Sequence, residues 1–212
     1  MKNIAYENIS NPSKTSVIIA RGQSVNKSKN KIIDFCSRNN PVIICPNVGM
    51  EGINTDYLVF ADPEIFLKLK DTITPAQTII LGSKIYDYEN LPNKKFLLDH
   101  YTGRRKIIEK ISIKDKYIDH RIFNTGFACI FIAYFLKMEK IYLFGFDGRE
   151  QDKSIKHYDG TKGKIGKGDG EKEKDFLELI IKFISKKNIE IFVDKNCPFR
   201  GIYKTKLKIK DF

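Results

Sequence analysis

The chain has 212 residues, 42% of them hydrophobic, and a formal net charge of +12. This length suits one α/β domain with a buried core, and no apolar run reaches the roughly 20 residues that cross a bilayer. The four cysteines lie far apart without CxxC spacing, which favours reduced thiols in a cytosol over a disulfide framework or a zinc site. The start "MKNIAYENIS" has no apolar signal-peptide core, so we expect a cytoplasmic protein.

Short β-branched runs alternate with helical or loop segments along the chain. The predicted strands are 16–20, 41–45, 56–60, 78–82, 95–99, 140–145 and 189–193. Most are continuous apolar runs, as expected for parallel strands that are covered on both faces. The predicted helices are 27–38, 63–71, 125–137 and 171–187. This alternation predicts an α/β fold with a single Rossmann-like, doubly wound and mostly parallel sheet.

No internal repeat or linker divides the chain convincingly. We expect an N-terminal extension over 1–15, one domain over 16–199 and a basic tail over 200–212. The segment "GTKGKIGKGDG" (160–170) fails as a Walker A motif, because its glycine spacing is wrong and Gly168 stands where Ser or Thr should hold magnesium. We therefore expect a mobile basic loop over 150–170. The tail alternates basic and apolar residues, which is typical of an edge strand or a solvated segment, with contact to an anionic membrane as the alternative.

The excess of positive charge comes mostly from lysine, in a chain that is also rich in Ile and Asn. A basic surface attracts nucleic acid, anionic lipid or a phosphorylated ligand. An AT-rich genome produces the same composition, and the sequence shows no motif or aromatic–basic interleaving typical of nucleic-acid binding. We therefore expect no nucleic-acid partner.

Ligands of doubly wound sheets bind beyond the carboxyl ends of the strands, where polar and small residues collect in this chain. The set comprises Arg21, Gly22, Gln23 and Ser24 after the first strand, Asn47 after the second, Asp62 after the third, and Gly145, Asp147 and Arg149 around the end of the strand at 140–145. Gly, Asn and Asp also favour ordinary turns, so each residue alone is weak evidence. Together they predict a ligand cleft.

Three segments of this chain suggest specific chemistry. Gly22–Ser24 could cradle a phosphate with backbone amides, although the GxGxxG fingerprint is absent. Asn124–Gly126 precedes an apolar helix, where it can serve as an N-cap, as an anion site, or as both. His157 lies in the polar stretch "KHYDG" and is either an exposed loop histidine or an acid/base residue. His100 and His120 each follow an aspartate but lack comparable surroundings.

Taken in order, these segments resemble the sialyltransferases, both the bacterial family that decorates surface glycans and, more distantly, the eukaryotic family. "NTGFACIFIAYFLKMEKIYLFGFD" is similar to the family's Ser/Thr-Gly turn, helix and strand ending in Gly-Phe or Gly-Ile-Asp. "KHYDG" is similar to the element that supplies the family's catalytic base, and "SVIIARGQSV" and "IICPNV" occupy the places of its nucleotide-lining strand ends. The resemblance covers residues 16–193.

The resemblance implies an inverting glycosyltransferase of minimal GT-A-like architecture, without the long lid insertion. It would transfer an acidic sugar, sialic acid or a relative, from a CMP-activated donor to a glycan acceptor hydroxyl, with no cofactor and no metal. His157 would act as the general base, while Arg149, Tyr158 and the lysines of 162–167 would stabilise the departing phosphate. The nucleotide would be held by Arg21, Gly22, Gln23, Ser24, Asn47, Asp62, Asn124, Thr125, Gly126, Gly145 and Asp147.

The sequence departs from the family's pattern in several places. Arg21 and Asp62 stand near positions where the family has Asn, Arg149 stands where it has Tyr, and only nine residues separate Asp147 from His157. Asp62 and the short connection also fit the archaeal-type 6-hydroxymethylpterin diphosphokinases. In that alternative Asp62 and Asp147 would bind magnesium. A non-catalytic nucleotide- or glycan-binding module is a third interpretation.

Overall fold

The computed structural model describes residues 13–82, 95–98, 113–114, 117–118, 124–147, 155–160, 162–163, 180, 182–184, 187–197 and 210–211. The strands are β1 (Thr15–Ile19), β2 (Val42–Pro46), β3 (Tyr57–Phe60), β4 (Thr78–Gly82), β5 (Lys95–Leu98), β6 (Ile113–Lys114), β7 (Tyr117–Ile118), β8 (Lys140–Phe144), β9 (Ile155–Lys156), β10 (Lys162–Gly163), β11 (Glu190–Val193) and β12 (Lys210–Asp211). The helices are α1 (Ser24–Asn39), α2 (Pro63–Leu69) with a 3₁₀ turn at Lys70–Thr72, and α3 (Thr125–Phe135).

The predicted elements match this description closely. All seven predicted strands and the first three predicted helices are confirmed, with ends that differ by no more than three residues. Of the predicted helix over 171–187, residues 180 and 182–184 are helical, and residues 171–179 lie outside the described part of the chain.

Eight strands form one sheet in the order β5-β4-β3-β2-β1-β8-β11-β12, and every neighbouring pair is parallel. The chain starts at β1 in the interior of the sheet, moves outward to β5, and returns to the other side of β1 with β8. This reversal places a topological switch point between β1 and β8, as in Rossmann-like sheets. The predicted fold class is confirmed.

The core consists of two apolar layers, one on each face of the sheet. Ile18, Ile44 and Leu143 pack with α3 on one face, whereas Val17 and Ile43 face α1 on the other. Eight of the eleven residues of α3 are buried, because this helix lies between the sheet and the helical residues 180 and 182–184. Full burial of one of the Phe or Ile side chains of α3 contributes about 1.5–3 kcal/mol to the free energy of unfolding. Burial on both faces explains why the strands are continuous apolar runs.

All four cysteines are free, buried thiols. Burial raises the pKa of Cys36 to about 11 and that of Cys45 to about 12. Cys129, in α3, belongs to the buried core, and its Sγ donates to the Thr125 carbonyl oxygen at 3.3 Å.

Short strands also occur outside the predicted set. Strands β6 and β7 form one antiparallel ladder, and β9 and β10 form another within the loop predicted over 150–170. Strand β12 lies at the edge of the main sheet beside β11, so two residues of the tail form the edge strand that the alternating pattern suggested. Residues 1–12 of the expected extension, 164–170 of the loop and 200–209 of the tail lie outside the described residues. In the described part of the chain, none of the helices has the length and apolarity needed to cross a membrane.

Candidate functional site

The loop after β1 lies beside the end of β8 at the switch point, and backbone hydrogen bonds join the two. Ala20 N donates to Phe144 O at 2.8 Å, and Gly22 N donates to Gly145 O at 2.9 Å. Gly145 has φ +70°, and a Cβ at this position would lie 2.6 Å from Val25 Cγ2. Glycine is therefore required at position 145, both by its backbone conformation and by the close approach of Val25 in α1.

The carboxylate of Asp147 occupies the N-terminus of α1. Its Oδ2 accepts a hydrogen bond from Ser24 N at 2.7 Å, and its Oδ1 accepts one from the Ser24 hydroxyl. A Cβ on Gly22 would lie 2.6 Å from Asp147 Oδ2 and 2.5 Å from Gly145 O, so the carboxylate fits only beside glycine. The preceding Gln23 makes no side-chain cap hydrogen bond. The phosphate cradle predicted over Gly22–Ser24 is thus filled by a carboxylate of the protein itself.

A buried carboxylate lies one turn further along α1. Asp194, at the end of β11, is 1% exposed and accepts from the Ser28 hydroxyl at 2.5 Å. Asn196 Nδ2 also donates to Ser28 Oγ, at 2.9 Å. Burial raises the pKa of Asp147, the Asp194 charge raises it further, and the hydrogen bonds from Ser24 oppose these effects. Asp147 and Asp194 therefore bind the same face of α1, through Ser24 and Ser28, which lie four residues apart.

Asp194 and Ser28 are not among the site residues predicted from the sequence. The sequence does carry a signal for Asp194, because this residue directly follows the apolar strand β11. Asp62 comes similarly soon after β3, with one residue between. The Ser24–Ser28 spacing also places both hydroxyls on one face of the helix.

The turn between β9 and β10 lies against the loop after β1. Arg21 O accepts from Tyr158 N at 3.1 Å and faces His157 Nδ1 at 3.3 Å. A carbonyl oxygen can only accept, so Nδ1 carries the proton in this contact and the lone pair of the neutral ring is on Nε2. The Arg21 guanidinium pairs with Asp159 at 2.5 Å, and the two side chains are only 11% and 18% exposed. Arg21 therefore contacts three consecutive residues of the turn.

Tyr158 links this turn to the segment that follows β2. Its hydroxyl donates to Gly49 O at 3.3 Å, and its ring packs against the apolar layer on the α1 face. Burial raises the pKa of Tyr158 far above its usual value, so the phenol stays protonated and acts as a donor. The described contact of its hydroxyl is with Gly49, and the predicted contact with a departing phosphate stays a prediction.

Asn47 lies directly after β2, the strand next to β1. Its φ of +67° is in the left-handed region, which Asn tolerates better than most residues. The residue is 7% exposed, and none of the described residues donates a hydrogen bond to its Oδ1. A buried polar atom without a partner costs about 1–3 kcal/mol. Asn47 is therefore well suited to accept a hydrogen bond from a bound ligand.

Helix α3 also begins at this edge of the sheet. Asn124 Oδ1 accepts from Phe127 N at 3.0 Å, which is the predicted N-cap. A Cβ on Gly126 would lie 3.8 Å from Ala20 Cβ, so the start of α3 lies beside the end of β1. Because the cap is uncharged, the positive end of the α3 dipole keeps its preference for an anion.

Asp62 is not brought into this group by its described contacts. Asp62 is exposed and caps α2, where its Oδ1 accepts from Glu64 N at 2.9 Å. The ends of β3 and β8 are three strand spacings apart, about 14 Å, whereas two ligands of one magnesium ion lie within about 4 Å of each other. Arg149, His100 and His120 lie outside the described residues. In the described part of the chain, no three His, Cys, Asp or Glu side chains are grouped as metal ligands.

The structure gathers the other predicted residues around the ends of β1, β2 and β8 and the start of α3. They are Arg21, Gly22, Gln23, Ser24, Asn47, Asn124, Thr125, Gly126, Gly145, Asp147, His157 and Tyr158. No protein-family model matches the chain, and no curated protein matches it significantly. The functional interpretation therefore depends on the geometry of these residues.

Proposed function

We propose that the protein is an inverting glycosyltransferase that transfers an acidic sugar from a CMP-activated donor to an acceptor hydroxyl, with His157 as general base. The observation that carries the proposal is the contact of His157 Nδ1 with the Arg21 carbonyl oxygen at the switch point. This contact assigns the proton to Nδ1 and leaves Nε2 as the basic nitrogen. An ordinary imidazole, with a pKa of about 6.5, is largely neutral near pH 7 and can accept a proton.

In the proposed reaction the acceptor hydroxyl attacks the anomeric carbon while the bond from that carbon to the phosphate oxygen breaks. Nε2 of His157 takes the hydroxyl proton, and CMP leaves with the electron pair of the broken bond. Negative charge on the leaving phosphate is best stabilised by fixed positive groups. The start of α3 at Asn124–Gly126 offers such a group, and Arg149 and the lysines of 162–167 are proposed to add to it.

Two further observations support a ligand that contains a nucleoside monophosphate. The buried Asn47 Oδ1 needs a donor, and the exocyclic amino group of cytosine is a donor. The N-terminus of α1, where a dinucleotide would place its pyrophosphate, is occupied by the Asp147 carboxylate, which repels phosphate. A donor whose only phosphate binds elsewhere, such as a CMP-sugar, avoids this conflict.

A thermal-shift panel of CMP, CDP, UDP, GDP and ATP, with and without magnesium, tests the ligand. We expect CMP to stabilise the protein without added metal, by about 2.7 kcal/mol at a hundredfold excess over Kd. A shift seen only with ATP and magnesium would overturn the proposal and favour the diphosphokinase alternative.

Variants of Asn47 test the nucleotide contact. Asn47→Ala should weaken CMP binding by about 1–3 kcal/mol, because the ligand donor loses its acceptor. Alanine also strains the left-handed backbone, so Asn47→Gly removes the side chain without that effect. Asn40→Gly is the matched control, since Asn40 has φ +42° and lies at the C-terminus of α1. Equal affinities for the Asn47 and Asn40 variants would exclude Asn47 from the site.

Variants of His157 test the chemistry with CMP-sialic acid and a panel of glycan acceptors. His157→Ala and His157→Gln should spare CMP binding and reduce turnover by about 10²–10⁴-fold. If either variant keeps wild-type turnover, His157 is only a loop histidine.

A further inference from the structure

Arg21 meets the His157 turn through two chemically independent contacts. Its backbone carbonyl accepts from the turn, including the imidazole Nδ1–H, and its guanidinium pairs with Asp159 at 2.5 Å. Side-chain substitutions at position 21 change the ion pair and leave the carbonyl in place. The two contacts can therefore be tested separately.

The ion pair between Arg21 and Asp159 is partly buried, with exposed fractions of 11% and 18% for the two side chains. Solvent screens such a pair much less than a surface pair. The two charges lie beside the imidazole, one in the residue that His157 contacts and one two residues along its own turn. Each charge alone would shift the protonation of the imidazole, and in opposite directions.

We propose that Arg21 and Asp159 are positioning residues that hold the His157 imidazole at the switch point and balance the charge around it. This inference rests on the proposed function, which gives His157 its role as base. It also reassigns Arg21, because its described guanidinium contact is with Asp159 of the turn. The resemblance predicts a contact of Arg21 with the nucleotide instead.

The other titratable groups that the structure describes near this turn are the same in every variant. Tyr158 and Cys45 have pKa values raised by burial and stay uncharged near neutral pH. Asp147, from the end of β8, contacts Gly22 and Ser24 next to Arg21, and its carboxylate is common to all variants. Differences in the titration of His157 then report the removed charge.

The two single variants should shift the pKa of His157 in opposite directions. Asp159→Asn removes a negative charge beside the imidazole, which disfavours imidazolium and lowers the pKa. Arg21→Gln removes a positive charge beside it, which favours imidazolium and raises the pKa. Each shift should be about 0.5–1 pH unit, and the double variant should return close to the wild-type value. Arg21→Lys keeps the charge and should also stay close to wild type.

The experiment is an NMR titration of the histidine ring Cε1–H signals in the full chain, with the His157 signal identified by its loss in His157→Gln. Arg38→Gln is the matched control, because Arg38 pairs with Asp34 at 2.8 Å on the exposed surface of α1. This variant should leave the His157 titration unchanged. Circular dichroism confirms that each variant is folded before it is titrated.

A purely structural role predicts a different pattern. If both single variants only loosen the turn, both move His157 in the same direction, toward a solvent-exposed imidazole, and the inference is overturned. Absence of any shift in the single variants overturns it as well.

Turnover separates this inference from the proposed function. With an active enzyme, the acid limb of the kcat/KM profile should move with the His157 pKa, to higher pH in Arg21→Gln and to lower pH in Asp159→Asn. Turnover with unshifted profiles would overturn the positioning role alone. Opposite NMR shifts without turnover on any donor would overturn the glycosyltransferase proposal and support the charge pairing.

Discussion

Helices α1 and α3 both begin at the carboxyl edge of the sheet beside β1, yet their first amides are satisfied in opposite ways. At α1 the acceptor is the Asp147 carboxylate, from a residue 123 positions further along the chain. At α3 the acceptor is the amide oxygen of its own N-cap, Asn124. One helix start is capped from a distance by a charged group, and the other locally by a neutral one.

The difference decides where an anionic ligand can bind. A carboxylate at a helix N-terminus satisfies the dipole and repels a second anion, whereas a neutral cap satisfies an amide and leaves the dipole positive. Two helix starts that look alike as anion sites in the sequence are therefore unequal in the folded protein. Of these two helix starts, α3 is the one at which we propose that a phosphate or a sugar carboxylate binds.

The largest expected effect on stability comes from Gly22→Ala at the start of α1, for which Gly126→Ala at the start of α3 is the matched comparison. Gly22→Ala should lower the free energy of unfolding by about 2–4 kcal/mol, because the new Cβ meets Gly145 O at 2.5 Å and displaces the Asp147 carboxylate. Gly126→Ala should be neutral or stabilising, since its Cβ would meet Asn124 Oδ1 at 3.2 Å and alanine is favoured over glycine in a helix by about 1 kcal/mol. Urea unfolding of both variants measures the contrast, and equal effects would contradict it.

An intermediate effect is expected at Asp147 itself. Asp147→Ala removes both acceptors of Ser24, which is 5% exposed, and should cost about 1–3 kcal/mol. In Asp147→Asn the amide oxygen can accept from Ser24 N while the amide nitrogen donates to the Ser24 hydroxyl. This variant should therefore keep most of the stability that the alanine variant loses. A loss as large as that of Asp147→Ala would show that the negative charge itself is required.

The pH dependence of stability should also distinguish Asp147→Asn from the wild type. Burial raises the pKa of Asp147 above its ordinary value of 3.8. The folded state thus favours the protonated acid, and this contribution is full below pH 3.8 and is lost as the pH rises through the raised pKa. The asparagine variant has no such loss, so its stability relative to the wild type should increase across that window and stay constant above it. A constant difference throughout would mean that the carboxylate is ionised without penalty.

The smallest effect is expected at the local cap of α3, where stability and binding can be separated. Asn124→Ala should cost about 1 kcal/mol of stability. Asn124→Asp keeps the cap and should change stability by less, yet its charge should weaken CMP binding, as the Asp147 charge excludes an anion at α1. Tighter CMP binding by Asn124→Asp would contradict the assignment of the anion site.

The accuracy of the sequence predictions follows the same division between local and distant contacts. The starts of α2 and α3 are predicted at their observed residues because Pro63 in the first turn and the Asn124 cap are local sequence signals. The start of α1 is predicted three residues late, at Lys27 in place of Ser24. The first amide of α1 donates to Asp147 in place of a local cap residue, and no pattern near Ser24 indicates that partner.

The seven strands are predictable because a strand buried on both faces must be apolar along its whole length, which is a local property of the sequence. Their alternation with helices then determines the Rossmann-like class, and the residues after each strand indicate the edge where a ligand binds. The sequence by itself therefore determined seven strands of the main sheet, the first three helices, the fold class and most members of the candidate site. Tertiary structure alone decided that Asp147 fills the first anion site and that Arg21 contacts the His157 turn. These contacts join residues 123 to 138 positions apart, and their formation depends on the strand order that brings β8 beside β1.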